Sequence, residues 1–224
     1  MKKSISLAAL IAVSSLFIVG CSKDDTEAPI ISTEAPIISL IGSNPFQLEM
    51  LQTYSEPGAT ADDNEDGDIS SSINVDDSEI ENRVPGTYNV YYSVSDAAGN
   101  PADAIREVVV FATNNALAKT YSVIDCCFTT SGVFVPPVFT YTQVLTATGA
   151  ATNVWNDFGG IAVSPAINTS INGSGAITMS TQNINSTTTV SGTGVVVTTG
   201  FRIDYTLNTT GGSTSDCRAY YTRN

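Results

Sequence analysis

The chain has 224 residues, with 22 Asp+Glu against 9 Lys+Arg and a formal net charge of −13. A chain this acidic lacks the basic face that nucleic acid requires and is repelled by anionic lipid headgroups. His is absent, which removes imidazole acid–base chemistry, His metal ligation and any Ser–His or Cys–His nucleophile pair.

The charge is unevenly spread. From Cys21 to Asn114 the acidic side chains face only Lys23, Arg83 and Arg106 as cations. From residue 115 onward Asp125, Asp157, Asp204 and Asp216 balance Lys119, Arg202, Arg218 and Arg223. This change of composition predicts two domains.

Met1-Lys2-Lys3 is a short basic segment, and Leu7 to Val19 is an apolar run too short for a comfortable membrane span. Residues 1–20 therefore read as a signal peptide. The run ends Ile18-Val19-Gly20-Cys21, which resembles a bacterial lipobox. The resemblance implies a diacylglycerol thioether on Cys21 and cleavage before it. Two or three acyl chains anchor stably where one would not, at about 0.8 kcal/mol per buried CH₂. Residues 21–33 then form a lipidated tether. Its Lys23, Asp24 and Asp25 resemble the signal that sends Bacteroidota lipoproteins to the outer face of the outer membrane. Thr26–Ser32 recurs unchanged as Thr33–Ser39. One copy is expected to begin a domain and the other to add at most about 25 Å of reach.

Residues 34–112 are expected to form an Ig-like β-sandwich. Strand candidates are Ala35–Ile41, Phe46–Met50, Thr87–Ser95 and Arg106–Phe111. In Thr87–Ser95 the residues Tyr88, Val90, Tyr92 and Val94 share one face, the predicted core face. Pro85-Gly86 leads in and Gly99-Asn100-Pro101 leads out. The run Gly58–Asp63, then Asp66-Gly67-Asp68-Ile69, Pro85–Tyr88, and Val94-Ser95-Asp96 with Gly99-Asn100 resemble the bacterial Ig-like domain of surface proteins. That domain also accompanies pesticidal crystal toxin modules and is related to the hyalin repeat. The resemblance implies a spacer or adhesion role and no catalytic residues.

Asp62, Asn64, Asp66, Gly67 and Ile69 fall at EF-hand loop spacing. Ile73 stands where that loop needs a bidentate Glu, and no helices flank it, so the full motif is not expected. Two readings remain: a looser Ca²⁺ site using Asp62, Asp63, Asp66 and Asp68, with Asp96 in reach, or a solvated acidic loop. No other cofactor is expected.

Residues 115–224 are rich in Thr, Ser, Val and Gly, with no helical periodicity, and predict an antiparallel β-barrel or sandwich. Strand candidates are Thr120–Ile124, Val138–Thr146, Ala176–Ser180, Thr187–Val190, Gly194–Thr198, Phe201–Asn208 and Cys217–Thr222. In the sixth, Phe201, Ile203, Tyr205 and Leu207 share one face and Arg202, Asp204 and Thr206 the other. A tight turn at Thr199-Gly200 makes a hairpin with the strand before it. Asn153–Gly160, Ser191–Gly194 and Phe201–Tyr205 resemble the C-terminal module of Bacteroidota polysaccharide-locus lipoproteins. Those proteins pair an Ig-like domain with a lipocalin-like or related β-domain. The resemblance implies glycan binding beside a starch-utilisation-type outer-membrane transporter.

With Cys21 lipidated, Cys126, Cys127 and Cys217 remain. The exported compartment permits a disulfide, and Cys126 or Cys127 with Cys217 would join the ends of the second domain. Neighbours in a strand face opposite ways, so only one of the pair can reach, leaving the other free unless the two bridge each other; the alternative is free thiols. Trp155, with Asn156 and Asp157, sits in a loop-like stretch. It reads either as part of a glycan platform or as a packed barrel residue. Glycoside hydrolysis needs two facing carboxylates, and no motif supplies them. The chain also shows no phosphate loop, no G-x-S-x-G and no zinc motif. The expectation is a non-catalytic outer-membrane lipoprotein facing the cell exterior, held by its lipid. It would bind extracellular polysaccharide or, alternatively, serve as a structural or adhesive surface protein or complex subunit without a sugar site.

Overall fold

A computed structural model describes residues 34–129, 134–149, 152–158 and 161–224. The fold is all-β. The first two sheets are β1 (Ile37–Leu40), β3 (Ala59–Asp63) and β4 (Gly67–Asp68) in one, and β2 (Phe46–Glu49), β7 (Pro101–Phe111), β6 (Gly86–Ser95) and β5 (Asn74–Asp76) in the other. β2 pairs parallel to β7; the other pairs are antiparallel. The alternation read from Thr87–Ser95 is the observed one. Val90, Tyr92 and Val94 are buried and Tyr88 is half-buried, while Tyr91, Ser93 and Ser95 are exposed. β3, β4 and β5 are additional to the strands expected. They are short and polar, so periodicity does not mark them.

β7 turns the same way, with Arg106, Val108 and Val110 buried. An arginine on a core face needs a full set of acceptors. Arg106 has them: Nε donates to the Tyr92 hydroxyl at 2.9 Å, Nη1 to the Ser43 carbonyl at 2.7 Å, and Nη2 to the Ile41 and Gly58 carbonyls at 2.8 and 3.0 Å. Glu56 supplies the counter-charge at 3.4 Å. The guanidinium thus ties β7 to the loops on either side of β2.

Past β7 the chain makes a single helical turn, α1 (Asn114–Leu117), capped by the Thr113 hydroxyl, which accepts the Ala116 N–H. Ala116 and Leu117 join one continuous hydrophobic cluster that runs from Leu48 and Val108 to Tyr221. The junction is also tied by backbone, with the Ala112 N–H donating to the Gly173 carbonyl at 3.0 Å. Gly175 lies at φ +81°, and a Cβ there would stand 2.9 Å from Pro85 Cγ. Only glycine meets both demands.

Residues 120–223 form eight strands: β8 (Thr120–Thr129), β9 (Phe134–Gly149), β10 (Thr152–Phe158), β11 (Ile161–Ile171), β12 (Ala176–Asn183), β13 (Thr188–Val197), β14 (Gly200–Thr209) and β15 (Ser213–Arg223). Each pairs antiparallel with the next, and β15 pairs with β8, so the sheet closes as an up-and-down barrel. Between the two architectures expected, barrel and sandwich, the closure selects the barrel, with the strand number of lipocalins. Thr198 and Thr199 make the two-residue turn between β13 and β14. Two expectations are corrected. Thr187–Val190 and Gly194–Thr198 are not separate strands but parts of β13. The Asn/Asp/Gly-rich stretch around Trp155 is not a loop but strand β10.

Among the described residues, side chains from several strands pack together inside the barrel. Near α1, Phe201 stacks on Tyr221 with ring centroids 4.4 Å apart, and Tyr121 meets Phe201 edge-on at 4.8 Å. Val123, Leu145, Ile167, Ile177, Met179, Ile203 and Ala219 continue the core. Gly192 makes room for it: a Cβ there would lie 2.8 Å from the Tyr205 Cβ and 2.5 Å from the Asp204 carbonyl oxygen.

Candidate functional site

The outer face of the barrel across β13, β14, β15 and β8 is built in three cross-strand rows. Residues paired across antiparallel strands share a face. One row runs Val195–Arg202–Tyr220–Ile124. The next runs Thr193–Asp204–Arg218–Cys126, and the third Ser191–Thr206–Asp216–Phe128. Arg202 Nε stands 3.2 Å from Asp204 Oδ2, and Arg218 Nε bonds Asp204 Oδ1. One carboxylate therefore lies between two guanidinium groups, and its hydrogen bond and charge raise the pKa of Arg218. The Thr206 hydroxyl donates to Asp216 at 2.9 Å.

Beside this charged row stands Tyr220, 45% exposed, with Ile124 next to it in its row and also open to solvent. On the other side a hollow of about 340 Å³ is lined by Phe128, Asp204, Thr206, Asp216 and Arg218 among others. The face combines two aromatic rings, two carboxylates and two planar donors. That set offers apolar contact to one surface of a ligand and charge-assisted hydrogen bonds to its edges. The alternation of Arg202, Asp204 and Thr206 is legible in the sequence. Their meeting with Tyr220, Arg218 and Asp216 depends on the β14–β15 register and was missed.

The other candidates are placed as follows. Cys21, Lys23, Asp24 and Asp25 lie outside the described residues. Trp155, Asn156 and Asp157 lie on β10, with a register irregularity between Trp155 and Asp157. Trp155 is opposite Leu145 and Ile167 in register, two residues that are themselves buried. The side chains of Trp155, Asn156 and Asp157 lie outside the described residues.

Asp63, Asp66 and Asp68 each face their own partners. Asp63 is buried and its Oδ1 accepts the N–H groups of Glu65 and Asp66, both at 3.0 Å, while its Oδ2 meets no donor. Asp66 accepts the Ala97 N–H at 2.6 Å, and Asp62 is exposed on β3. Asp68 accepts both the hydroxyl and the N–H of Ser70, which hold its carboxyl below the ordinary range. Asp96 accepts from the Asn100 side chain and N–H in the same way. Among the described residues no three Asp, Glu or Cys side chains converge to hold a metal ion.

Cys127 and Cys217 are joined by a disulfide, and Cys126 is a free thiol whose Sγ lies 3.4 Å from the Arg218 carbonyl. The bridge lies at the seam where the last strand meets the first.

Inside the barrel, next to the bridge, Asp125 is 1% exposed. The Tyr205 hydroxyl donates to its carboxylate at 2.7 Å, and Tyr141 approaches at 3.4 Å. Burial pushes the Asp125 carboxyl up, and the two phenols offset this only in part. Burial and the Asp125 charge push the Tyr205 phenol up as well. A carboxyl whose folded pKa is raised holds its proton better folded than unfolded. Stability is therefore fullest below the ordinary carboxylate range and falls as pH rises through the raised value. Asp125→Asn keeps an acceptor for Tyr205 and removes the buried charge. It is expected to raise the melting temperature by a few degrees at pH 7, with the gain vanishing in acid. Thermal melts of both proteins from pH 3 to 8 check this, and a pH-independent difference would refute it.

An Ig-like segment followed by an antiparallel eight-stranded barrel is the class of protein this fold defines. Residues 38–110 match the family described as bacterial surface protein, Ig-like domain. No curated protein matches the chain. Among solved structures, similarity is found to a lipoprotein of Bacteroides thetaiotaomicron, at 17% identity and a TM-score of 0.32, covering 82% of this chain and 98% of that one. It is also found to the CBM51-2 and INT domains of Clostridium perfringens ZmpB in complex with GlcNAc, at 14% identity and a TM-score of 0.30, covering 84% of this chain and 44% of that one. A Bacteroides ovatus structure of unknown function aligns at 12% identity and a TM-score of 0.24, covering 59% of this chain and 57% of that one. At these scores nothing about ligands is transferred. Among the described residues no helix is long and apolar enough to cross a membrane.

Proposed function

We propose that this is a non-catalytic lipoprotein of the bacterial outer surface, anchored through Cys21, whose barrel binds extracellular polysaccharide beside a nutrient-uptake transporter. The observation that carries the reading is Tyr220, set on an outer sheet face directly beside the Arg202–Asp204–Arg218 chain of charges. A sugar presents a flat apolar face and a rim of hydroxyls. An exposed ring takes the first, and a carboxyl group with two guanidinium forks takes the second. The surface setting is supported by the family matched at residues 38–110.

The test is affinity electrophoresis of the full chain through gels holding a panel of polysaccharides. Retardation is expected on at least one. Tyr220→Ala and Asp204→Ala should weaken it roughly tenfold or more, as for the loss of a binding hot spot. Retardation kept in both variants but lost in Trp155→Ala would move the site to β10. A second reading, docking of a protein partner, rests on Val195, Tyr220 and Ile124, exposed apolar side chains of one cross-strand row. Absence of retardation on every polysaccharide, with a protein partner lost on Tyr220→Ala, would favour it.

A further inference from the structure

The strand pairs of the barrel are unequal. β13 and β14 pair from Thr188–Thr209 to Val197–Gly200, and β14 and β15 from Gly200–Thr222 to Thr209–Ser213. Among the described residues β11 and β12 pair only next to their hairpin, at Ser170–Thr178 and Ile171–Ile177. The next hydrogen-bonded rung of that ladder would join Asn168 to Ser180. The Gln182 side chain stands between them instead. Its Oε1 accepts the Asn168 N–H at 2.8 Å, and its Nε2 donates to the Asn168 carbonyl at 2.6 Å and to the Ser180 carbonyl at 3.1 Å. One primary amide therefore does for Asn168 what the facing strand would do.

Other features coincide here. Met179 pairs with Gly192 and Gln182 with Val190, so Ser180 and Thr181 together oppose Ser191, which is a bulge in β12. On β11 the register with β10 shifts between Ile167 and Ala162. Pro165 lies in that stretch and has no N–H to give to a ladder. The bulge and the proline both work against an unbroken ladder between β11 and β12. Asn168, Ser180 and Thr181 are exposed, whereas Ile167, Thr169 and Met179 beside them are buried. The amide is thus met by solvent on the outside and covers the core on the inside. The seam also lies opposite the disulfide. Round the ring of strands it is four seams from the β15–β8 seam in either direction. There Cys127 and Cys217, paired in register, are covalently joined.

We propose that the barrel is hinged: it opens sideways between β11 and β12, with the Gln182 amide as its latch and the bridged β15–β8 seam as its fixed side. Parting β13 from β14 breaks a ladder along the whole strand. Parting β11 from β12 beyond their hairpin breaks the bonds of one side chain. Local opening takes the route with the fewest buried contacts and backbone bonds to undo. The open state bares the edges of both strands and the apolar Ile167 and Met179. It leaves Arg202, Asp204 and Arg218 in place on β14 and β15, so it stands whether or not that face binds sugar.

The experiment is amide hydrogen exchange of the full chain, read residue by residue by NMR, with methionine oxidation by dilute peroxide beside it. The Asn168 N–H should exchange about a hundredfold or more faster than those of Ile203 and Tyr205 on β14. Low urea should speed Ile203 and Tyr205 and leave Asn168 unchanged, because little surface is exposed in a local opening. Gln182→Ala should speed Asn168 by about tenfold or more and leave Ile203 and Tyr205 within about twofold. Met179 and Met50 are both buried, yet Met179 should be oxidised faster, and Gln182→Ala should widen the difference. Exchange of Asn168 at the rate and urea dependence of Ile203 would overturn the proposal, and the wild type alone decides this if the variant folds poorly. Fast Asn168 exchange with Met179 oxidised as slowly as Met50 would be fraying of one surface bond, and would overturn it too. Gln182→Ala speeding every amide equally, or leaving Asn168 unchanged, would remove the latch.

Discussion

Arg106→Met is expected to lower stability by about 3–5 kcal/mol, the range for breaking a buried ion pair by removing one partner. The side chain is fully buried, and its donors satisfy three carbonyls, the Tyr92 hydroxyl and Glu56. Removing it leaves each of those acceptors without the donor it was buried against. Urea titration followed by circular dichroism measures the loss, which corresponds to an apparent melting temperature lower by roughly 10 °C. A change under about 1 kcal/mol would show that the network does not hold the sandwich together.

The same network has a pH signature. Burial pushes the Glu56 carboxyl up, but hydrogen bonds from Tyr54, Tyr92 and the Gly58 N–H, together with the Arg106 charge, outweigh it and hold the group below the ordinary range. A carboxyl lowered by folding stabilises the protein above its unfolded pKa, and that contribution is lost as pH falls through the lower folded value. The network therefore loosens in acid, opposite in direction to Asp125.

Cys217→Ser is the second large change. The bridge to Cys127 spans 90 residues of sequence and fastens β15 to β8, the pair that closes the barrel. In the chain-entropy model a loop of that length is worth about 4–5 kcal/mol. Cys126 faces outward in the row with Asp204 and Arg218, so it cannot replace Cys127 without turning the strand over. Cys127→Ser should therefore cost as much as Cys217→Ser, and Cys126→Ser should stay within about 0.5 kcal/mol. Reductant should bring the wild type to the level of Cys217→Ser and leave that variant unchanged. Wild-type stability indifferent to reductant would refute the role given to the bridge.

These residues mark how far the sequence could be read. β6 and β14 were legible because their apolar residues alternate without a break, and period two is a local property. β10 was not, because Asn, Asp and Gly around Trp155 carry turn preference, and pairing with β9 and β11 overrides it. β13 read as two strands because Gly192 and Gly194 interrupt its pattern. Gly192 is there because Tyr205 of the next strand fills the space where its Cβ would be. Arg106 read only as the start of a strand, since nothing within a few residues shows that Ile41, Ser43 and Gly58 will converge on it.

The sequence by itself determined the β class, the buried face of its clearest strands, the uneven charge and the hairpin into β14, all set by neighbours a few positions apart. The turn of that hairpin is Thr198-Thr199, one residue before the expected Thr199-Gly200. Only the tertiary structure decided that the second sheet closes, that Cys127 and not Cys126 meets Cys217, and that Tyr220 stands beside Asp204. It alone sets the Gln182 amide between β11 and β12. Each of these depends on strand register and closure, which join residues tens of positions apart and are set by the packing of the whole barrel.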